Sequence, residues 1–270
     1  MSEPSADSAA AARRLVAAYA THYDHGELDE LFDLFADDAR MVYGDRGSAE
    51  GLSGIVDRLG VSWVEGRRHV NAVSTVGPLA GGELWAVTDW VMYRDQEIAS
   101  VGRYTDRIAG GRFLERVIRY DPPGGPVGAP PGHDAGEPTM SWPSEPRDAV
   151  LQTIGRYGQL ADDRRISEVA DLFTDDGRLE VRGTAWSGRA EIAARGGDRP
   201  DPGQRTKHVT VNPLVEVAGD GRTADVRTDF LYFVAPPDGP WRLGATGRYV
   251  DVHVLDGDRW RIASRTVTID

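Results

Sequence analysis

The chain contains no cysteine among its 270 residues. Disulfide bonds, zinc–thiolate and iron–sulfur sites and cysteine nucleophiles are therefore excluded. Basic residues are few, 31 against 43 acidic ones, and the formal charge of −12 argues against a nucleic-acid or anionic-membrane surface. No apolar run approaches the ~18 residues of a membrane span, and the acidic N-terminal segment does not resemble a signal peptide. We therefore expect a cytoplasmic protein that binds neither nucleic acid nor membranes.

The most informative feature of the sequence is an internal repeat. Three motifs recur in the same order, at an offset that varies only from 138 to 145 residues. These motifs are residues 34–38 and 172–176, residues 68–70 and 207–209, and residues 102–106 and 247–251. Residues 122–146 between the copies hold eight of the sixteen prolines and cannot keep a regular hydrogen-bond ladder. The repeat predicts a first domain at 1–121, a Pro/Gly-rich linker at 122–146 and a second domain at 147–270.

Each half has the same order of predicted elements. Apolar residues at helical spacing predict two helices, and the second helix extends through Phe35 in the first half and Phe173 in the second. A short strand, a third short helix and four strands with Gly/Asp turns follow. This order predicts an α+β fold in each half, with helices packed on one face of a mostly antiparallel sheet. Arg103 and Arg248, on equivalent strands, are expected to pair with acids across the sheet.

Two pairs of residues could carry acid–base chemistry. His69 and His208 occupy equivalent strands, where alternation places His208 and Asn212 on the face opposite Val209. Asp24 and Asp162 both lie at the end of the first helix of their half. A histidine there can also be a surface strand residue, and an aspartate a turn residue. If they meet, the aspartate fixes the histidine tautomer and the other ring nitrogen can move a proton.

Two tyrosines in the first half are further candidates. Tyr43 lies on a strand face shared with Met41, and Tyr23 directly precedes Asp24. Each hydroxyl could donate a hydrogen bond to a substrate oxygen, or the ring could simply pack in the core. The second half has Ala161 and Val181 at the equivalent positions.

The Tyr-Asp break, the Leu-Phe-x-Asp-Asp motif, the Arg/Lys-His-Val motif and the Gly-Arg-Tyr-x-Asp motif together resemble the SnoaL-like branch of the nuclear transport factor 2-like superfamily, twice over. Within that branch the chain is most similar to the scytalone dehydratase and hexachlorocyclohexane dehydrochlorinase group. The resemblance implies two tandem cone-shaped α+β barrels, each with a deep apolar pocket. It also implies catalytic Asp–His dyads at Asp24–His69 and Asp162–His208. Tyr23 and Tyr43 match two tyrosines of scytalone dehydratase. Neither copy has that enzyme's second histidine.

These observations predict an enzyme that needs no cofactor and no metal ion. We expect a dehydratase, isomerase or cyclase acting on a hydrophobic, oxygenated small molecule, of the kind found in polyketide-like secondary metabolism. The residues expected to bind the substrate are Tyr19, Trp63, Trp90, Tyr157, Asn212 and Tyr232.

Two alternatives stay open. One is an epoxide hydrolase or cyclase of the tandem polyether type, in which Glu65 and Glu180 would substitute for the paired carboxylates. The other is a non-catalytic ligand-binding or interaction module, at least for the second domain. We also expect the two domains to pack as an intramolecular pseudo-dimer, and we leave a homodimer of chains open.

Overall fold

The computed structural model describes residues 6–44, 46–121, 145–197, 203–237 and 239–270. These residues form two compact units, one within 6–121 and the other within 145–270. Most of the predicted linker at 122–146 lies outside the described residues, and the expected pseudo-dimer stays a prediction. In the described part of the chain, no helix combines the length and the apolar character that a bilayer crossing requires.

The described part of the first unit begins with a long helix, to which shorter helices and the strands of one sheet are added. In chain order its elements are α1 (Ala6–His25), α2 (Leu28–Phe32), β1 (Phe35–Val42), β2 (Ser48–Glu50), α3 (Gly51–Ser62), β3 (Arg67–Asn71), β4 (Thr75–Pro78), β5 (Leu84–Arg94), β6 (Glu97–Ala109) and β7 (Arg112–Tyr120).

The second unit repeats this order, with one long strand, β10, where the first unit has β3 and β4. Its elements are α4 (Pro146–Asp162), α5 (Ile166–Asp171), β8 (Phe173–Val181), β9 (Thr184–Ser187), α6 (Gly188–Gly197), β10 (Arg205–Val217), β11 (Thr223–Ala235), β12 (Arg242–Asp256) and β13 (Arg259–Ile269).

Each unit contains one mixed sheet, which confirms the expected α+β class. The strand order is β2-β1-β7-β6-β5-β3 in the first unit, where β4 also pairs with β5, and β10-β11-β12-β13-β8-β9 in the second. Neighbouring strands are antiparallel except for one parallel pair in each sheet, β1 with β7 and β13 with β8. Among the described strands the two ends of each sheet do not pair with each other, so the barrel is open rather than closed by hydrogen bonds.

The second helix of each unit is shorter than its apolar pattern suggests, and this corrects the expected boundary. Helix α2 ends at Phe32, and Phe35 already belongs to β1. The Leu34 carbonyl accepts a hydrogen bond from the Phe113 amide of β7 at 2.8 Å, and Phe35 lies opposite Phe113 in the parallel ladder. Phe35 is completely buried there. Pairing with β7 therefore outweighs the helical periodicity, because local pattern is only a weak constraint beside tertiary packing.

Arginine–aspartate pairs cross both sheets. Arg103 donates two hydrogen bonds to Asp89 at 2.7 and 3.0 Å inside the first unit, and Arg248 donates to Asp229 at 2.7 Å on the surface of the second. Both pairings confirm the expectation from the sequence. Only the Arg103–Asp89 pair is shielded from water. Breaking that pair is therefore expected to cost more stability than breaking the exposed Arg248–Asp229 pair.

One histidine distinguishes the two cores. His253 follows Asp251 by two residues, as Ile108 follows Asp106 in the first copy, and it is completely buried. Burial lowers the pKa of His253, although its hydrogen bond with Asp251 at 3.4 Å acts in the opposite direction. The unfolded chain therefore binds a proton more readily than the folded one. The stability that depends on neutral His253 is fully present above its ordinary pKa and is lost as the pH falls below it.

We predict that His253→Ile makes the second unit less sensitive to acid. Between about pH 7.5 and about pH 5.5, wild type is expected to lose more stability than the variant, because only wild type must keep a buried imidazole neutral. Urea unfolding followed by pulsed hydrogen exchange of β12 peptides measures this difference. The exposed His25, replaced by Gln, serves as the control. An identical pH dependence in wild type and His253→Ile would contradict the prediction.

Candidate functional site

The first candidate site is built around Asp24 and His69. Asp24 stands at the end of α1 and His69 lies on β3, and the two side chains are 6% and 4% exposed. Asp24 Oδ1 lies 2.6 Å from His69 Nδ1, while Oδ2 accepts the His69 backbone N–H at 2.6 Å. Because an ionised carboxylate can only accept, the proton of the neutral imidazole is on Nδ1. Nε2 is therefore left as the acceptor.

The same arrangement recurs in the second unit. Asp162 Oδ1 lies 2.6 Å from His208 Nδ1, and Oδ2 accepts the His208 backbone N–H at 2.7 Å. The Thr206 hydroxyl adds a third hydrogen bond to Asp162 Oδ1 at 2.8 Å. At the position equivalent to Thr206, the first unit has Arg67. The structure thus brings together both Asp–His pairs that the sequence pointed to, and their immediate surroundings differ.

Hydrogen bonds between helix and strand hold each aspartate in place. Arg68 donates to the Asp24 backbone carbonyl at 3.0 Å, which ties the end of α1 to β3. Val16, two turns earlier on the same face as Asp24, is buried in the core. An apolar helix face that packs on a sheet therefore carries its last residue, the carboxylate, to the strand that bears the histidine.

His69 lines a cavity of about 370 Å³, a volume usual for small-molecule sites. Among the residues expected to bind substrate, Tyr19 and Trp90 line this cavity. Tyr23 and Tyr43 line it as well. Further lining residues that the sequence analysis did not single out are Arg46, Arg58, Arg67, Met92, Ser100, Tyr104 and Tyr120.

The hydroxyl groups of Tyr23 and Tyr43 have different partners. The Tyr23 oxygen lies 3.0 Å from Ser62 Oγ and accepts a hydrogen bond from Arg67 at 3.0 Å. The Tyr43 hydroxyl donates to the Met41 sulfur at 2.7 Å, and a thioether is a weak acceptor. Burial raises the pKa of Tyr43, although the positive charge of Arg58 acts against this. Tyr43 therefore stays protonated at neutral pH and has a hydrogen that a better acceptor can take.

His208 lines a second cavity, of about 540 Å³, in the other unit. Tyr157 and Tyr232, two of the residues expected to bind substrate, line it too. The Tyr232 ring lies 4.7 Å from the His208 ring, measured between centroids. Aliphatic side chains make up much of the remaining wall: Ala161, Ile166, Val169, Leu179, Val181, Ile192, Val267 and Ile269.

Two expected substrate-binding residues lie elsewhere, which corrects the sequence analysis. Trp63 does not line the first cavity, because its indole N–H donates to the Tyr23 carbonyl at 2.8 Å and its ring packs over Gly26. Asn212 has a φ of 52° and is exposed. It lies where the pairing of β10 with β11 shifts register between Val211 and Leu214. The bulge interrupts the alternation on which its predicted position depended.

Carboxylates do not line either cavity in the parts of the chain that the structure describes. Glu65 is exposed, and Glu180 accepts a hydrogen bond from Arg178 at 2.6 Å. The epoxide-hydrolase alternative thus receives no support from these two residues. Within the described ranges, no group of three or more His, Asp or Glu residues is placed to hold a metal ion.

The arginines at the cavities are the main candidate functional residues that the sequence analysis missed. The repeat contains a signal for Arg58. Arg58 on α3 and Arg195 on α6 each follow an isoleucine by three residues, and each lines the cavity of its own unit. Arg46 and Arg67 have no arginine counterpart in the second copy. Comparison of the copies for differences, rather than for shared motifs, could have found them.

Comparison with solved structures gives many matches, among them two that each cover less than half of this chain. ActVI-ORFA from Streptomyces coelicolor is 26% identical over 46% of this chain and 96% of its own, with a TM-score of 0.43. An NTF2-like protein with a cystatin-like fold from Novosphingobium aromaticivorans is 25% identical over 46% of this chain and 82% of its own, with a TM-score of 0.42. A search among curated proteins found no match.

The comparison with family models covers most of the chain. The model described as "SnoaL-like domain" matches residues 4–109 and again residues 142–266. Each matched region contains one of the Asp–His pairs. The chain therefore belongs to the SnoaL-like domain family of the NTF2-like superfamily, with the domain present twice in tandem.

Proposed function

We propose that this chain is a cofactor-independent enzyme, a lyase of the dehydratase type or an isomerase or cyclase, acting on a hydrophobic, oxygenated small molecule. One observation carries the proposal: in both units an aspartate holds a histidine by its ring and its backbone at the wall of a cavity. The SnoaL-like family includes dehydratases, cyclases and isomerases, which agrees with this chemistry.

In the first cavity, His69 is the general base. Asp24 holds Nδ1–H, so Nε2 takes a proton from a carbon next to a carbonyl or similar group. The electron pair of the broken C–H bond forms an enolate, whose oxygen accepts hydrogen bonds from Tyr43 or Tyr23. In dehydration the pair then forms a carbon–carbon double bond and a hydroxyl leaves as water with the proton from His69. In isomerisation the same proton returns to a different carbon.

The residues that line the second cavity favour a different function for the second unit. It keeps Asp162 and His208, but Ala161 and Val181 stand where the first copy has its two tyrosines. Tyr157 and Tyr232 remain in this cavity, but it has fewer tyrosine hydroxyls than the first, so an enolate oxygen there receives less stabilisation. We therefore propose that the second unit contributes a weaker acid–base site or a ligand-binding pocket, and that the first unit carries most of the turnover.

The test uses a general proton-transfer reaction that does not require the natural substrate. It is the exchange of the α-hydrogens of 2-tetralone in deuterated water. The ketone is apolar and oxygenated, and its exchange requires only a general base and a donor to the oxygen. Proton NMR is expected to record faster loss of the α-signals with the folded protein than with the same protein unfolded in urea or with equimolar imidazole. Equal rates in all three samples would contradict the proposal.

A further inference from the structure

We infer that the first cavity takes an organic anion, with the negative group of the ligand held by Arg46, Arg58 and Arg67 and its apolar part lying against the aromatic wall next to His69. The inference rests on the proposed function and deepens it by naming the substrate class. A carboxylate is the anion that best fits planar guanidinium groups, because it can accept two parallel hydrogen bonds.

The three arginines converge on the tyrosines of a single cavity. They come from separate parts of the first unit: the segment between β1 and β2, helix α3 and strand β3. Each guanidinium lies near one tyrosine ring, and the pairs are Arg46 with Tyr120 at 4.7 Å, Arg58 with Tyr43 at 4.7 Å and Arg67 with Tyr23 at 5.9 Å, from Cζ to ring centroid. Stacking at 4.7 Å fixes the planes of the Arg46 and Arg58 guanidinium groups, and a hydrogen bond to the Tyr23 hydroxyl at 3.0 Å positions Arg67. Each guanidinium has five N–H donors, so donors remain for a ligand.

Acidic partners for these three arginines are missing from the described residues. Arg103 and Arg116 in the same unit each have an aspartate at 2.7 Å. Arg46, Arg58 and Arg67 have no ion pair within the described ranges, and the lining of the cavity there includes no Asp or Glu. In a chain with a formal charge of −12, three arginines at one cavity produce a local positive field. Such a field favours an anionic ligand.

Buried donors without partners give a second, independent sign of a ligand. Three residues that line the cavity each have a buried polar atom with no hydrogen-bond partner: Trp90 Nε1, Ser100 Oγ and Arg67 Nε. Trp90 is only 2% exposed. Buried polar groups are nearly always hydrogen-bonded, so we expect these three atoms to find partners in water or in a bound ligand. All three atoms can donate, which matches the acceptor oxygens of an anion.

The second cavity provides an internal comparison, because it has the same Asp–His dyad but fewer arginines among the described residues. Among the residues that the structure describes, it contains a single arginine, Arg195, whose guanidinium lies 4.7 Å from the Trp186 ring. Thr206 stands where the first copy has Arg67, and its hydroxyl is bonded to Asp162. The wall is otherwise largely aliphatic and aromatic. The two cavities of one chain therefore differ in charge while sharing the same dyad, and we expect a preference for anions only in the first.

The test is a comparison of two probes of the same shape, 6-hydroxy-2-naphthoate and 6-hydroxy-2-naphthamide, by isothermal titration calorimetry with the full chain. The naphthoate is expected to bind about tenfold more tightly than the neutral amide, the change that one hydrogen-bonded charge pair typically produces. Arg58→Gln and Arg67→Gln should each reduce this preference, and added salt should weaken it in wild type. Arg195→Gln, the equivalent position in the second cavity, should leave it unchanged.

Four outcomes would overturn the inference. These are equal binding of both probes to wild type, no binding of the naphthoate at millimolar concentration, a preference that survives in both Arg58→Gln and Arg67→Gln, or one that disappears in Arg195→Gln. Thermal unfolding of each variant checks that it is folded, and two separate arginines keep the test valid if one variant is not. If the preference for the naphthoate is found but the exchange of 2-tetralone is absent, the proposed function fails and this inference stands. If exchange is found without a preference for the naphthoate, only this inference fails.

Discussion

Replacing His69 by asparagine is expected to slow the exchange of 2-tetralone by about 10²–10⁴-fold, the usual contribution of a general base. The asparagine amide can still donate from the position of Nδ1 to Asp24 Oδ1, which His69 now contacts at 2.6 Å, and the backbone N–H bond to Oδ2 is unaffected. What the variant lacks is Nε2, the only atom to which the mechanism assigns the proton. The rate falls without loss of the surrounding hydrogen bonds, as measured by NMR exchange and thermal unfolding.

The matched variant is His208→Asn, which makes the same change in the other cavity. Because Ala161 and Val181 replace the tyrosines there, we expect this variant to keep most of the exchange activity. The double variant His69→Asn/His208→Asn should retain none above the unfolded-protein background. Retained activity in the folded double variant would reject the dyad mechanism altogether, whereas loss in His208→Asn alone would move the reaction to the second unit.

The residues of the dyads could be singled out from the sequence because the repeat contains each of them twice. Asp24 ends an amphipathic helix and His69 lies in a strand, and each has a counterpart in the second copy at nearly the same offset. Helical periodicity places Asp24 on the apolar face of its helix, and strand alternation places His208 on the face opposite Val209, which left a surface position open. The pairing of aspartate with histidine was expected from the resemblance to SnoaL-like proteins, not from these local patterns.

Other features depend on contacts that no local pattern encodes. The bulge that exposes Asn212 is a property of the pairing between two strands. The start of β1 at Phe35 depends on its parallel partner Phe113, nearly eighty residues later. Arg46 reaches the cavity from a loop segment, and the position of such a side chain is set by the tyrosine on which it stacks. Periodicity cannot anticipate these interactions, because each one requires knowledge of the neighbouring element.

In each unit, aromatic side chains that line the cavity pack against a buried arginine–aspartate ion pair. In the first unit Arg116 donates to Asp106 at 2.7 and 2.8 Å, and both side chains are completely buried. The Arg116 guanidinium also lies 4.0 Å from the Tyr19 ring and 4.4 Å from the Tyr104 ring. Arg265 and Asp251 repeat this arrangement in the second unit. The pair therefore connects the stability of the core to the tyrosines of the site.

Arg116→Met is expected to destabilise the first unit by about 3–5 kcal/mol, the usual cost of leaving one member of a buried pair alone. Asp106 has no route to water, and the methionine removes both the charge and the cation–π contacts with the two tyrosines. A loss of this size is a large fraction of the roughly 5–15 kcal/mol by which a domain is stable. Urea unfolding followed by pulsed hydrogen exchange of β6 peptides measures the loss.

Two further variants make the result specific to the buried charge. Arg40→Met breaks an exposed pair with Glu50 and Glu115 and should cost much less, because solvent screens those charges. The double variant Asp106→Leu/Arg116→Met removes both charges and should recover much of the stability lost in Arg116→Met, since an apolar replacement of the whole pair leaves no unpaired group. If Arg116→Met is as mild as Arg40→Met, or if the double variant is no more stable than the single one, the cost does not come from an isolated Asp106 carboxylate. Tyr19 and Tyr104 would then depend on packing alone for their positions in the cavity wall.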